Sequence, residues 1–182
     1  MNRNGERKAP RPLDKARMEE MALAYVARFS TSAAKLEDYL KRKLRERGWD
    51  GEEPAPVKAT VARYVELGYV DDAAFAAART GSLLRRGYGT RRIGQALHAA
   101  GIDEDVREQV RAPLAQQRQA ALACARKRRL GPFGAPAADR SAREKQMAAM
   151  LRAGHPLDSA RFLVDAPTIE AAEMWAECTE EE

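Results

Sequence analysis

Residues 85 to 102 read RRGYGTRRIGQALHAAGI, with four arginines, four glycines and no Asp or Glu. Residues of these types can cradle a phosphate, present cations to a polyanion, or mark the ends of helices. The phosphate cradle fails on spacing. Gly87, Gly89 and Gly94 do not make G-x-G-x-x-G, no strand pattern precedes them, and no Lys-Ser/Thr pair follows. The glycines read instead as punctuation, with Gly87 and Gly101 ending helices and Gly89 relaxing the short turn between them.

The arginines are a separate matter. Arg79, Arg85, Arg86, Arg91 and Arg92 fall within fourteen residues that contain no acid. Solvated faces usually mix charges of both signs. A one-sign cluster with guanidiniums on both sides of a turn suits phosphate or an acidic protein surface. Two further clusters follow the same logic. One is Arg126 with Lys127, Arg128 and Arg129. The other is Lys41, Arg42, Lys43, Arg45 and Arg47, diluted by Glu46. If equivalent helices repeat along one side of an array, the three clusters are expected to share a basic face. Solubility alone is the plainer reading of each.

Catalysis has little to stand on. His98 lies in QALHAAG without a neighbouring cysteine or carboxylate pair, and His155 follows Gly154 and is read as a turn residue. Asp71 and Asp72 are explained by helix capping. Cys124 reads as a small packing residue, and it and Cys178 are the only cysteines in the chain. No Ser-His-Asp order and no metal-ligand spacing is present, so the expectation is a nonenzymatic protein without metal or cofactor. The cysteine usage suits a reducing, cytoplasmic compartment. No apolar run reaches membrane-spanning length and no hydrophobic signal region opens the chain, so no membrane association is expected.

The 182 residues carry a formal charge of +5, unevenly placed. The first seventeen hold six Lys or Arg against two acids, and the last ten hold five Glu and no base. Aromatics are only 6% while hydrophobics are 45%, a composition suited to close-packed helices with small side chains at their contacts. Helical spacing runs through the chain. Met18, Met21, Ala22, Tyr25, Val26 and Phe29 make one stripe; Leu36, Tyr39, Leu40 and Leu44 a second; Val57, Val61, Tyr64 and Val65 a third. The triplet recurs with Phe75, Leu83 and Leu84, then Ile93 and Leu97, then Val106 and Val110. A weaker third round covers roughly 113 to 130, 139 to 153 and 156 to 165. Gly48, Gly101 and Gly154 are each 53 positions apart, with Leu44, Leu97 and Met150 four residues before them. The expected fold is therefore all-α: an elongated array of three tandem three-helix repeats built from helix-turn-helix-like units. The expected division is a basic flexible arm at 1–14, repeats at 15–67, 68–112 and 113–166, and an acidic tail at 167–182 in which Trp175 could anchor a short helix.

The stretch ELGYVDDAAFAAARTGSLLRRGYGTRRIGQALHAAGI, residues 66 to 102, resembles the signature of the RecX family of recombinase regulators. Its carriers are Gly68, Tyr69, Val70, Asp71, Asp72, Phe75, the RRGYGTRRI turn, Leu97, Gly101 and Ile102. The segment YVARFSTSAAKLEDYLKRKLRERG is similar to the family's first repeat. KQMAAMLRAGHPLDSARFLVD is similar to its third, one residue shorter before His155. The resemblance implies a monomer without cofactor that binds the RecA protein, chiefly its filament on single-stranded DNA. It implies modulation of RecA's ATPase, strand-exchange and coprotease activities, and hence a place in homologous recombination, DNA repair and the SOS response. Gly68, Tyr69, Asp71, Phe75, Gly87, Gly89, Ile93, Leu97 and Gly101 then read as structural signature residues. Arg79, Arg85, Arg86, Arg91, Arg92, Lys41, Arg42, Arg45, Lys127, Arg128 and Arg129 read as the surface for RecA or for nonspecific DNA contact. The alternative is a DNA-binding helix-turn-helix transcriptional regulator, since short-turned helix pairs can enter a major groove. Against it, the helix opened by Thr90 offers Gln95 but is otherwise poor in base-reading side chains.

Overall fold

A computed structural model describes residues 11–135 and 139–178, and among these the structure is helical with no strand beyond an isolated bridge. The chain divides into two compact units, one ending at Asp72 and one beginning at Ala73. None of the helices among the described residues is long and apolar enough to cross a membrane.

The first unit is a helix triplet, with α1 at Lys15–Val26, α2 at Ala33–Arg47 and α3 at Val57–Glu66. Local capping side chains start α1 and α2. The Asp14 carboxylate accepts from Arg17 N at 2.8 Å, and the Ser32 hydroxyl from Lys35 N at 3.3 Å. The start of α2 gains a second cap from outside the triplet, because the Asp72 carboxylate accepts from Ala33 N at 2.8 Å. Asp72 therefore caps a helix 39 residues upstream, which its position at the head of the next helix does not suggest. Met18, Ala22, Leu36 and Leu40 are fully buried, and Val57, Val61, Tyr64 and Val70 complete the cluster. Each such burial is worth about 1.5–3 kcal/mol for the larger aliphatics.

Three expectations for this unit change. Phe29 does not continue the α1 stripe: the helix stops at Val26, and the ring lies 52% exposed, tilted against Tyr25. Val65 is 46% exposed because Val61 and Tyr64 already occupy the inner face of α3. Leu13, placed in a free N-terminal arm, is instead fully buried. Its N–H donates to Gly48 O at 3.0 Å and its carbonyl accepts from Asp50 N at 2.9 Å. The remainder of that arm, residues 1–10, lies outside the described residues.

The second unit holds α4 (Asp72–Arg85, with Asp72 itself on the other side of the division), α5 (Thr90–His98), α6 (Glu104–Gln109), α7 (Leu114–Arg128), α8 (Arg140–Ala153), α9 (Leu157–Asp165) and α10 (Ile169–Glu177). A 3₁₀ turn at Gly131–Phe133 follows α7. One core cluster gathers Phe75, Ala76, Leu83, Leu84, Ile93 and Leu97 with Ala100, Ile102, Ala112 and Ala120. A second, centred on Met150 and Leu163, is rich in alanine and takes Ala172 and Ala176 from α10. Much of the segment expected as an acidic tail is thus a packed helix. Thr168 caps it by accepting from Ala171 N at 3.1 Å, and Trp175 stacks on Phe162 with ring centroids 5.0 Å apart.

The three glycines at 53-residue spacing all lie just past the second helix of a triplet, and all have positive φ: +83° at Gly48, +71° at Gly101 and +96° at Gly154. Side chains on L-residues resist that region by about 1–2 kcal/mol. The period read from the sequence is therefore a repeat of helix-ending geometry.

Candidate partner-binding site

Arg85 and Arg86 finish α4, Gly87 to Gly89 turn the chain, and Arg91 and Arg92 enter α5; all four arginines are exposed. Tyr88 organises two of them. The Arg86 guanidinium lies 5.4 Å from its ring centroid and that of Arg92 5.9 Å. Each contact contributes about 0.5–1 kcal/mol at an exposed site and limits the rotamers open to a long side chain. The result is a pair of planar cations fixed around one half-buried aromatic ring. No ion pair among the described residues involves Arg79, Arg85, Arg86, Arg91 or Arg92.

Arg91 has a different task. Its side chain donates to Leu151 O at 2.6 Å, and its backbone N–H donates to Gly154 O at 3.2 Å. It thus neutralises the carbonyl end of α8, where a cation is favoured by the helix dipole. Sequence clustering places it with its neighbours on the binding surface; the geometry gives it contacts that clamp the second triplet to the third.

Two more contacts complete that clamp. Gly89 N donates to Ala153 O at 2.9 Å, and His155, only 4% exposed, donates through Nε2–H to Gly87 O at 3.1 Å. Gly89 itself has an ordinary φ of −83°. Its lack of a side chain matters for space, since a Cβ there would stand 2.3 Å from Gly154 C and O. The basic turn is therefore seated backbone to backbone on the end of α8. The sequence does not mark this contact, because Gly89 and His155 each have a local explanation in their own turns.

Burial lowers the His155 pKa from 6.5, against the opposing effect of its bond to Gly87 O, and the Arg128 cation lowers it further. A base depressed in the folded state is held neutral there, while the unfolded chain takes up a proton below about pH 6.5. Its contribution is complete above that pH and is lost as pH falls through the interval down to the folded value. Thermal melts are expected to show falling stability between pH 7.5 and 5.5, with a shallower slope in His155→Gln. Equal slopes in the two proteins would remove His155 as the cause.

The other clusters are more occupied. Arg126 pairs with Glu173 of α10 and lies 5.6 Å from the Phe133 ring centroid, while Arg128 donates to Ala149 O at 3.4 Å. Arg129 closes α7 in the left-handed region, and Lys127 is exposed. In the first unit, Lys41 pairs with Glu37 at 2.7 Å and Arg42 with Glu46 at 3.8 Å, so their charge is partly met within α2; Arg45 is exposed. Among the signature residues, Phe75, Ile93 and Leu97 are buried, Gly68, Gly87 and Gly101 have positive φ, and Asp71 is exposed. Tyr69 is 56% exposed and tilted on Tyr64. Cys124 is buried among the alanines of its cluster, and desolvation pushes its thiol pKa up, which suits packing rather than nucleophilic chemistry.

Comparison with known proteins bears on the fold and the family. Residues 71–110, which span α4 to α6, match the family model described as RecX, second three-helix domain. The fold is similar to the crystal structure of RecX from Lactobacillus salivarius, with a TM-score of 0.61 over 82% of this chain and 93% of that one, at 17% identity. A curated protein named regulatory protein RecX from Deinococcus radiodurans is 36% identical over 60% of this chain and 52% of its own length. Its namesake from Myxococcus xanthus is 32% identical over 87% of this chain and 89% of its own length. With that likeness running through nearly the whole of both sequences, and with the basic turn inside the matched second domain, the chain belongs to the RecX family of regulatory proteins.

Proposed function

We propose that the chain is a noncatalytic cytoplasmic regulator that binds the RecA recombinase and its filament on single-stranded DNA. It curbs the filament's ATPase, strand-exchange and coprotease activities and so acts in recombination and the SOS response. The observation that carries the reading is the pair of exposed guanidiniums around Tyr88, free of ion pairs among the described residues, in a member of this family. Arg86 and Arg92 make the principal contacts with filament phosphates or acidic side chains. Arg79 and Arg85 extend the same positive field along α4, and Lys127 and Arg129 add to it from the end of α7. Arg91 and His155 hold the turn in place. Several weak contacts on one chain gain strength from their linkage, so the regulator can occupy neighbouring filament sites and oppose growth.

Titration into RecA assembled on single-stranded DNA, followed by ATP hydrolysis and filament length, tests the reading. Hydrolysis is expected to fall and filaments to shorten as the protein approaches the RecA concentration. Unchanged hydrolysis and length at several regulators per RecA would overturn it.

A further inference from the structure

The loop from α1 to α2 carries Phe29, whose ring is 52% exposed and stands outside the core cluster of the first unit. The ring is not isolated. Its centroid lies 5.2 Å from that of Tyr25, and Tyr25 stacks on Tyr39 at 4.1 Å with the planes 16° apart. An arginine closes each end of this row. The Arg28 guanidinium lies 5.7 Å from the Phe29 centroid, and that of Arg42 lies 5.6 Å from the Tyr39 centroid. Tyr25 and Tyr39 are half-buried against the core, so the row has a fixed base, while Phe29 keeps about half of its surface open.

The geometry points to a stacking site for single-stranded nucleic acid on the first unit. A base lies on the open surface of Phe29, and Arg28 and Arg42 take the phosphates on either side. Rings set between guanidiniums suit a strand of unpaired bases, since each base offers a π-face and each linkage a phosphate. A duplex fits less well, because its bases are already stacked on one another. Charge agrees with the strand. Residues 25–47 hold seven Lys or Arg against three acids. Glu37 and Glu46 are paired with Lys41 and Lys43, and the nearby Asp72 carboxylate is held by Ala33 N, which leaves Asp38. Arg28, Arg45 and Arg47 have no ion-pair partner among the described residues. A protein-docking patch would need aliphatic surface beside the ring, yet the exposed Leu23 and Leu67 line a separate groove with Tyr69, Glu19 and Glu20. The site rests on the proposed function only for the source of the strand, the single-stranded DNA that carries the recombinase.

The test uses the full chain without recombinase, so its failure and a failure of RecA binding are separate results. Fluorescence anisotropy at moderate salt compares a labelled oligothymidylate of about 12 nucleotides with an abasic strand of equal length and charge. The basic turn attracts both strands alike through their phosphates, so the difference between them isolates stacking. The wild type is expected to bind the oligothymidylate about tenfold more tightly than the abasic strand. Phe29→Leu keeps the apolar bulk and loses the ring, so the preference should vanish; Phe29→Trp should keep or increase it. Thermal melts should show all three proteins folded, because the ring lies outside the core. A preference present in the wild type and Phe29→Trp but absent in Phe29→Leu supports the site. Equal affinity for the two strands in the wild type, no binding of either, a preference that persists in Phe29→Leu, or its loss in Phe29→Trp overturns it.

Discussion

Gly89→Ala is expected to destabilise the protein by about 3 kcal/mol, near the upper end of what overpacking costs. The new Cβ would fall 2.3 Å from Gly154 C and O, and the obstruction is backbone, which has no rotamer by which to withdraw. Relief requires the turn to lift away from the end of α8. That movement strains Gly89 N to Ala153 O at 2.9 Å, Arg91 N to Gly154 O at 3.2 Å and His155 Nε2 to Gly87 O at 3.1 Å. Each such bond contributes about 1 kcal/mol net. For a chain of this size, the melting temperature should fall by roughly 6–12 °C. Gly94→Ala is the matched control. That glycine lies inside α5 with nothing within 4 Å of a built Cβ, so alanine should stabilise it by up to about 1 kcal/mol through helix propensity. Scanning calorimetry of both variants checks the pair. If Gly89→Ala melts with the wild type, the turn is not seated on α8 as described.

The second large effect concerns binding. Arg86→Ala combined with Arg92→Ala should weaken association with RecA filaments by about 10- to 100-fold, since two cations leave a multivalent contact. Far-UV circular dichroism should not change, because both side chains are exposed and touch only Tyr88 among the aromatic rings. If they meet the phosphates of a single strand, the slope of log affinity against log salt should drop by about 1.4. If they meet acidic side chains, affinity falls with a smaller change of slope. Replacing the same two residues by Lys keeps the charge and loses the planar stack on Tyr88, so it separates attraction from preorganisation. Undiminished binding by the double alanine variant at moderate salt would remove these residues from the site. Arg91→Ala belongs in a separate comparison. It forfeits the 2.6 Å bond to Leu151 O, so any loss of binding must be read beside its melting curve.

Arg86, Arg91 and Arg92 illustrate how far the candidate site can be read in one dimension. Their clustering and lack of acidic neighbours are visible in the sequence, and so is the turn that brings them together. Which of them is available to a partner is not. Arg91 is occupied by a carbonyl 60 residues further along the chain, and no local pattern marks that pairing. The same separation hides His155, whose acceptor lies 68 residues away. Leu13 and α10 show the limit at the two ends of the chain. Charge composition suggested solvated arms, yet burial against Trp49's neighbours on one side and α7 on the other ordered part of each.

Near neighbours alone therefore account for the helices, where apolar residues recur at 3.6 spacing, and for their ends at glycines with positive φ. These depend on sterics and hydrogen bonds within a turn or two of helix, and the ends at Gly48, Gly101 and Gly154 recur every 53 residues with the glycines that cause them. Three outcomes came only with helix docking: Gly89 is required for a backbone to pass, Asp72 caps α2, and Arg91 is taken up by the carbonyl end of α8. Each of those outcomes depends on which distant atom arrives at close range, and close packing makes that answer sharp only after the helices have docked.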